Sequence, residues 1–111
     1  MSTLFSRPIA HRGLHDRSKG VIENTPSAFA AAIEHGYAIE CDVQLSSDGV
    51  PFIFHDDDFS RLTEVSGPSD ARPIAEVKTL VLKGSSTGDV PQTFGEFLEQ
   101  IGGRTQLQIE L

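Results

Sequence analysis

The chain has 111 residues, 38% hydrophobic and 23% charged, an ordinary globular balance that suits one small domain or part of a larger one. Sixteen acidic side chains against nine Lys and Arg leave a net charge of −7, which excludes the basic face that a duplex nucleic acid requires. One cysteine, Cys41, excludes an intrachain disulfide.

The segment Met1 to Pro8 has no apolar run of signal-peptide type, and no stretch approaches the roughly 20 apolar residues of a membrane span. A cytoplasmic protein without a transmembrane segment is expected.

The first predicted strand is Pro8 to His11. Thr25 is placed to cap a helix whose first position is Pro26. Phe29, Ala32 and Ile33 then recur at helical spacing, and Gly36 is the expected stop. Tyr37 to Val43 and Pro51 to His55 read as the second and third strands. Asp48-Gly49 between them is a turn signal, and the connection is short for a crossover helix. The two strands therefore form a hairpin or flank a reduced β/α unit.

Residues 57 to 92 carry no clear period. Ile74 to Leu82 is compatible with a short helix, and Lys83 to Asp89 with a flexible surface loop. Thr93 and Glu96 have capping-box spacing. They open a helix with Phe94, Phe97, Leu98 and Ile101 on its apolar face and Gly102-Gly103 at its end. Leu107 to Leu111 is the last predicted strand.

Reactive side chains gather toward the C-terminal ends of these strands: His11-Arg12, Glu40 and Asp42, His55-Asp56, and Glu110. In a parallel β/α barrel those ends share one face, where active sites sit. Glu40 and Asp42 point to the same side of their strand because side chains alternate with period two, and Ile39, Cys41 and Val43 point to the other. Two carboxylates that close repel unless a positive charge lies between them. Ca²⁺ or Mg²⁺ suits such oxygen donors, with Glu110 as a third ligand.

The plain alternative is a solvated polar face of an antiparallel sheet. Two histidines beside the carboxylate pair favour an acid and a base around a metal. Arg12 either clamps a phosphate or pairs with Asp42 or Glu110. Asn24 either lines the site or caps the helix. Cys41 is expected as a packed thiol, Asp57 and Asp58 as parts of a solvated turn, and His15 and His35 outside the chemistry, with His35 favoured by its helix C-terminus.

Taken together, His11-Arg12-Gly13, Glu23-Asn24-Thr25, Ile39-Glu40-Cys41-Asp42-Val43, Asp48-Gly49 and His55-Asp56 resemble the glycerophosphodiester phosphodiesterases in order and spacing. Weaker landmarks follow at Arg61-Leu62-Thr63 with Gly67, at Pro91 to Leu98 and at Ile109-Glu110-Leu111. The resemblance implies an α/β fold of TIM-barrel type with about its first four strands present. It implies Glu40, Asp42 and Glu110 as ligands of Ca²⁺ or Mg²⁺, His11 and His55 as the catalytic acid–base pair, and Arg12 as the phosphate-binding arginine. The implied reaction is hydrolysis of glycerophosphodiesters to an alcohol and glycerol 3-phosphate. Which histidine is the acid stays open.

The lysine that usually follows the last glutamate in this family has no counterpart, since the sequence stops at Leu111. A complete barrel takes about 250 residues, so this sequence is expected to be a piece of a longer protein, a truncated product, or a chain that pairs with a second copy. Two alternatives keep the same residues: a lysophospholipase D-like phospholipid hydrolase, and a non-catalytic remnant that binds a cation or a partner.

Overall fold

The computed structural model describes residues 7–111. The segment read above for the absence of a leader therefore lies mostly outside the described residues. Four strands form: β1 (Ile9–His11), β2 (Ala38–Leu45), β3 (Pro51–Ile53) and β4 (Leu107–Glu110). Among the described residues three α-helices accompany them, α1 (Pro26–Glu34), α2 (Ile74–Val77) and α3 (Phe94–Ile101), with a short 3-10 turn at Arg17–Lys19.

β2 is the centre of the sheet. β1 runs parallel to it, with Ile9 opposite Ala38 and His11 opposite Glu40. β4 is also parallel to β2, with Ile39 opposite Leu107 and Asp42 opposite Glu110. β3 folds back antiparallel on the last residues of β2, with Val43 opposite Ile53 and Leu45 opposite Pro51. The short Asp48-Gly49 connection is thus a hairpin turn. Ser46 N–H donates to the Val50 carbonyl at 3.0 Å, and Gly49 takes the positive φ of 80° that such a turn requires.

The β2 alternation settles which side is the core. Ile39 and Cys41 are fully buried among Ala10, Phe29, Ala32, Ile53, Phe97 and Ile101, with Val43 packed against them. The rings of Phe29 on α1 and Phe97 on α3 meet edge to face at 4.7 Å, which locks the two helices together over the sheet. Each such side chain removed from water contributes about 1.5–3 kcal/mol. With the apolar set held under the helices, Glu40 and Asp42 are turned to the opposite face.

Helix boundaries follow local chemistry. The Thr25 hydroxyl accepts from Ala28 N–H at 3.2 Å, Pro26 occupies the first helical position, and Gly36 follows the cap residue His35 with φ 74°. At α3 both capping-box bonds form between Thr93 and Glu96, and Gly102 closes the helix in the left-handed region. Thr93→Ala removes one of these bonds and weakens the other. Thermal unfolding is expected to show a loss of about 1 kcal/mol, the usual cost of an N-cap.

The helix over 74–82 is shorter than expected and stops at Val77. Pro73 offers no side-chain cap, and Leu82 N–H bonds instead to the Asp89 carbonyl at 2.9 Å. Residues 57–92 are mostly loop, yet they are anchored. Phe59, Leu62, Val77 and Leu82 bury with Ile22, Phe52 and Phe54 in a second apolar cluster. Within the 83–89 loop, Ser86 N–H donates to the Gly20 carbonyl at 3.0 Å. Among the described residues no helix is long and apolar enough to cross a membrane.

Candidate active site

The C-terminal ends of β1, β2 and β4 and the residues after β3 open onto one cleft of about 830 Å³. His11, Arg12, Glu40, Asp42, His55 and Glu110 all line it. The residues singled out from the sequence are therefore brought together. His15 and His35 lie elsewhere, and His35 hydrogen-bonds through Nδ1 to the Ala31 carbonyl at the end of α1.

The β1–α1 loop makes the site's floor. Gly13, at φ 80°, passes so close to α1 that a Cβ there would stand 2.8 Å from the Ala28 Cβ. Arg12 and Asn24 both hold positive φ, at 58° and 55°, and Asn24 N–H donates to the Arg12 carbonyl at 2.8 Å. A left-handed arginine is uncommon and costs energy that the surrounding contacts must offset. The contacts are visible: Arg12 N–H donates to Glu40 Oε1 at 3.0 Å, and its Nη1 donates to Glu23 Oε2 at 3.2 Å. Its Nε lies 3.4 Å from Asp42 Oδ2, an ion-pair contact without a hydrogen bond. Asn24 Nδ2 donates to the same Asp42 oxygen at 3.1 Å. Asn24 thus supports Asp42 from a buried position next to the cleft, and the cap belongs to Thr25.

The carboxylates of β2 have different surroundings. Burial first, and then the charge of Asp42, push the Glu40 carboxyl above the ordinary glutamate range, against the opposing pull of the Arg12 amide and His11. Glu110, opposite Asp42 in the register, accepts from Gln108 Nε2 at 3.3 Å. Among the described residues no three carboxylate, imidazole or thiolate groups converge closely enough to enclose an ion. The side chains are turned to local partners, Glu40 to the Arg12 amide and Asp42 to Arg12 and Asn24. The donor set itself is hard oxygen on one acidic face, the chemistry that Ca²⁺ and Mg²⁺ take. Cys41 points the other way, and burial, then the charges of Glu40 and Asp42, push its thiol up to about 12, so it is no thiolate.

The two histidines are held unequally. His11 Nε2 stands 3.8 Å from Glu40 Oε1 with its ring mostly in solvent. His55 Nδ1 lies 2.9 Å from Asp56 Oδ1, and the His55 carbonyl accepts from Gln44 Nε2 at 2.9 Å. Asp57 and Asp58 both line the cleft, and Asp58 also serves the turn by accepting from Ser60 N–H at 2.7 Å.

Two residues given no role from the sequence, Glu23 and Arg61, stand behind the cleft lining and hold residues that belong to it. Glu23, almost fully buried, is held by Arg61 through two hydrogen bonds of 3.0 Å as well as by Arg12. Burial opposes ionisation of Glu23, but the bonds and charge of Arg61, helped by Arg12, outweigh it and hold its carboxyl below the ordinary value of 4.5. Asp56 is held low chiefly by its hydrogen bonds from Arg61.

Depressed folded-state values give stability that is present above the unfolded value and lost as pH falls through the folded one. Wild-type unfolding free energy is therefore expected to decline below about pH 4.5, where unfolded Glu23 begins to take up protons. Glu23→Gln should flatten that limb in denaturant titrations across pH. An unchanged slope would remove Glu23 as its source.

Residues 11–110 match the model of the glycerophosphoryl diester phosphodiesterase family. A glycerophosphodiester phosphodiesterase of Caldanaerobacter subterraneus subsp. tengcongensis is 44% identical over 73 residues, 65% of this chain and 29% of that protein. Glycerophosphodiester phosphodiesterase 1 of Rattus norvegicus is 43% identical over 61 residues, 53% of this chain and 17% of that protein. Among solved structures, a glycerophosphodiester phosphodiesterase of Agrobacterium tumefaciens superposes with a TM-score of 0.82 at 30% identity, over 93% of this chain and 46% of that one. An Oleispira antarctica phosphodiesterase, solved with the product sn-glycerol-3-phosphate, gives 0.82 at 34% identity over 95% and 44%. The chain spans less than half the length of these proteins. It shares the TIM-type barrel fold of the solved relatives and corresponds to its amino-terminal part.

Proposed function

The chain belongs to the glycerophosphoryl diester phosphodiesterase family, and from that premise we propose that it supplies the catalytic face of a metal-dependent phosphodiesterase that hydrolyses glycerophosphodiesters to an alcohol and glycerol 3-phosphate. The observation that carries this reading is the placement of His11 and His55 around the acidic Glu40–Asp42 pair in one cleft, with Arg12 at its floor. The product bound to the Oleispira relative supports the glycerol 3-phosphate half of the substrate.

Glu40, Asp42 and Glu110 would hold Ca²⁺ or Mg²⁺, which when bound neutralises charge on the phosphoryl oxygens. The protein's own groups do the rest. Arg12, fixed by Glu23 and Asp42, presents a preorganised positive charge to an anionic diester. One imidazole takes the proton of the attacking hydroxyl, and the other returns a proton to the leaving alkoxide. The nucleophile is water or the substrate's own glycerol hydroxyl.

The cleft lining is nearly all polar, with Val43 and Leu111 its apolar members. A small hydrophilic headgroup fits such a surface better than an acyl chain, which favours glycerophosphodiesters over the lysophospholipase D-like alternative. A cytoplasmic setting agrees with the buried, unpaired Cys41.

The test is glycerol 3-phosphate release from glycerophosphocholine with Ca²⁺, with Mg²⁺ and with a chelator, in the full-length protein that carries this chain. Metal-dependent release is the expected result. Release of a choline-free lysophosphatidic acid from lysophosphatidylcholine, with no turnover of glycerophosphocholine, would establish the alternative.

A further inference from the structure

We propose that Arg61 is a positioning residue that sets both His55 and Arg12 from behind the cleft; the inference rests on the phosphodiesterase reading for its kinetic consequence and on geometry alone for its structural one. Arg61 lies outside the cleft lining. Its Nε and Nη2 donate to Asp56 Oδ2 and Oδ1 at 2.7 and 3.0 Å, and its Nη1 and Nη2 donate to Glu23 Oε1 and Oε2, both at 3.0 Å. One guanidinium thus forks onto two carboxylates. Each carboxylate then reaches a cleft residue: Asp56 Oδ1 to His55 Nδ1 at 2.9 Å, and Glu23 Oε2 to Arg12 Nη1 at 3.2 Å.

The arrangement fixes a tautomer. Asp56, bonded through both oxygens to Arg61, is an ionised acceptor. The proton shared with it must therefore sit on His55 Nδ1. Neutral His55 is left with an unprotonated Nε2, the form able to take a proton in the cleft. The same clamp keeps buried Glu23 ionised against Arg12, which fixes the direction of that guanidinium.

The platform for the clamp is rigid. Phe59 and Leu62, on either side of Arg61, are buried in the second apolar cluster, and Thr63 Oγ1 donates to the Phe59 carbonyl at 2.8 Å. Lysine cannot replace Arg61, because an ammonium donates from a single point and cannot grip two carboxylates side by side. Arg61 is half-exposed but Glu23 is almost fully buried, so loss of Arg61 also costs stability, and the melting temperature of each variant separates that cost from the effect on the site.

The experiment uses the full-length protein as wild type, Arg61→Lys and Arg61→Ala, with Arg72→Ala as a remote control. ¹⁵N-edited NMR of the His55 ring at a pH where it is neutral reads the tautomer, thermal unfolding reads the fold, and glycerophosphocholine turnover reads catalysis. In folded Arg61→Lys and Arg61→Ala the Nδ1–H form of His55 is expected to give way to a tautomer mixture. The kcat should fall roughly 10- to 100-fold, as for other residues that orient catalytic ligands, and guanidinium ion should restore part of it in Arg61→Ala. An unchanged His55 tautomer in either folded variant would overturn the proposal. So would a kcat loss that tracks the melting temperature alone and does not respond to guanidinium. A wild type without turnover would defeat the phosphodiesterase reading, while the tautomer measurement would still judge the clamp.

Discussion

His55→Ala in the full-length protein is expected to lower kcat on glycerophosphocholine by roughly 10²- to 10⁴-fold, the range associated with removing a general acid or base. His11→Ala should do the same. Both rings are substantially exposed, 67% for His11 and 42% for His55, so truncation removes little buried surface and the protein should remain folded.

Cation affinity should change little in either variant, since neither ring is required as an oxygen donor. His11 stands beside Glu40 at 3.8 Å with its ring mostly in solvent, so its loss removes only a peripheral neighbour; His55 is turned toward Asp56. Calorimetric titration with Ca²⁺ or Mg²⁺, paired with turnover on the same samples, separates the two effects. Wild-type turnover in either variant would refute its part in the acid–base pair, and parallel loss of turnover and metal affinity would make it a ligand instead.

What could be read from the residues was local. The caps at Thr25 and Thr93 announce themselves because the side chain and the backbone donor it satisfies lie within three positions. The separation of Ile39 and Cys41 from Glu40 and Asp42 followed from the strand period alone, and the helices cover the expected side.

What stayed open depends on contacts distant in sequence. Asp48-Gly49 permits a hairpin or a reduced β/α unit, and only the antiparallel pairing of β3 with β2 decides for the hairpin. The helix over 74–82 is cut short because Leu82 takes a partner in the following loop. Arg61 meets Glu23 across 38 positions and carries no local signal. Nor does any side-chain pattern reveal that Arg12 is left-handed; the glycine after it and the asparagine that bonds it become meaningful only in three dimensions.

Glu40→Gln should separate metal binding from stability more sharply than any other substitution in the cleft. The Glu40 carboxyl is buried beside Asp42 and resists ionisation, so its charge burdens the fold. Glutamine keeps the shape and the oxygen that accepts from the Arg12 amide, now bonded at 3.0 Å. It removes the like-charge repulsion. The melting temperature without metal should therefore stay level or rise.

Affinity for Ca²⁺ or Mg²⁺ should fall by about tenfold or more, because a neutral amide replaces an anionic donor where ligand charge sets the strength. Asp42→Asn should also weaken the cation but with a lower melting temperature, since Asp42 pairs with Arg12 and accepts from Asn24. Unchanged affinity in both variants would leave no metal at this face. A Glu40→Gln protein that melts lower than wild type would show that the carboxylate supports the fold and is not held there at its expense.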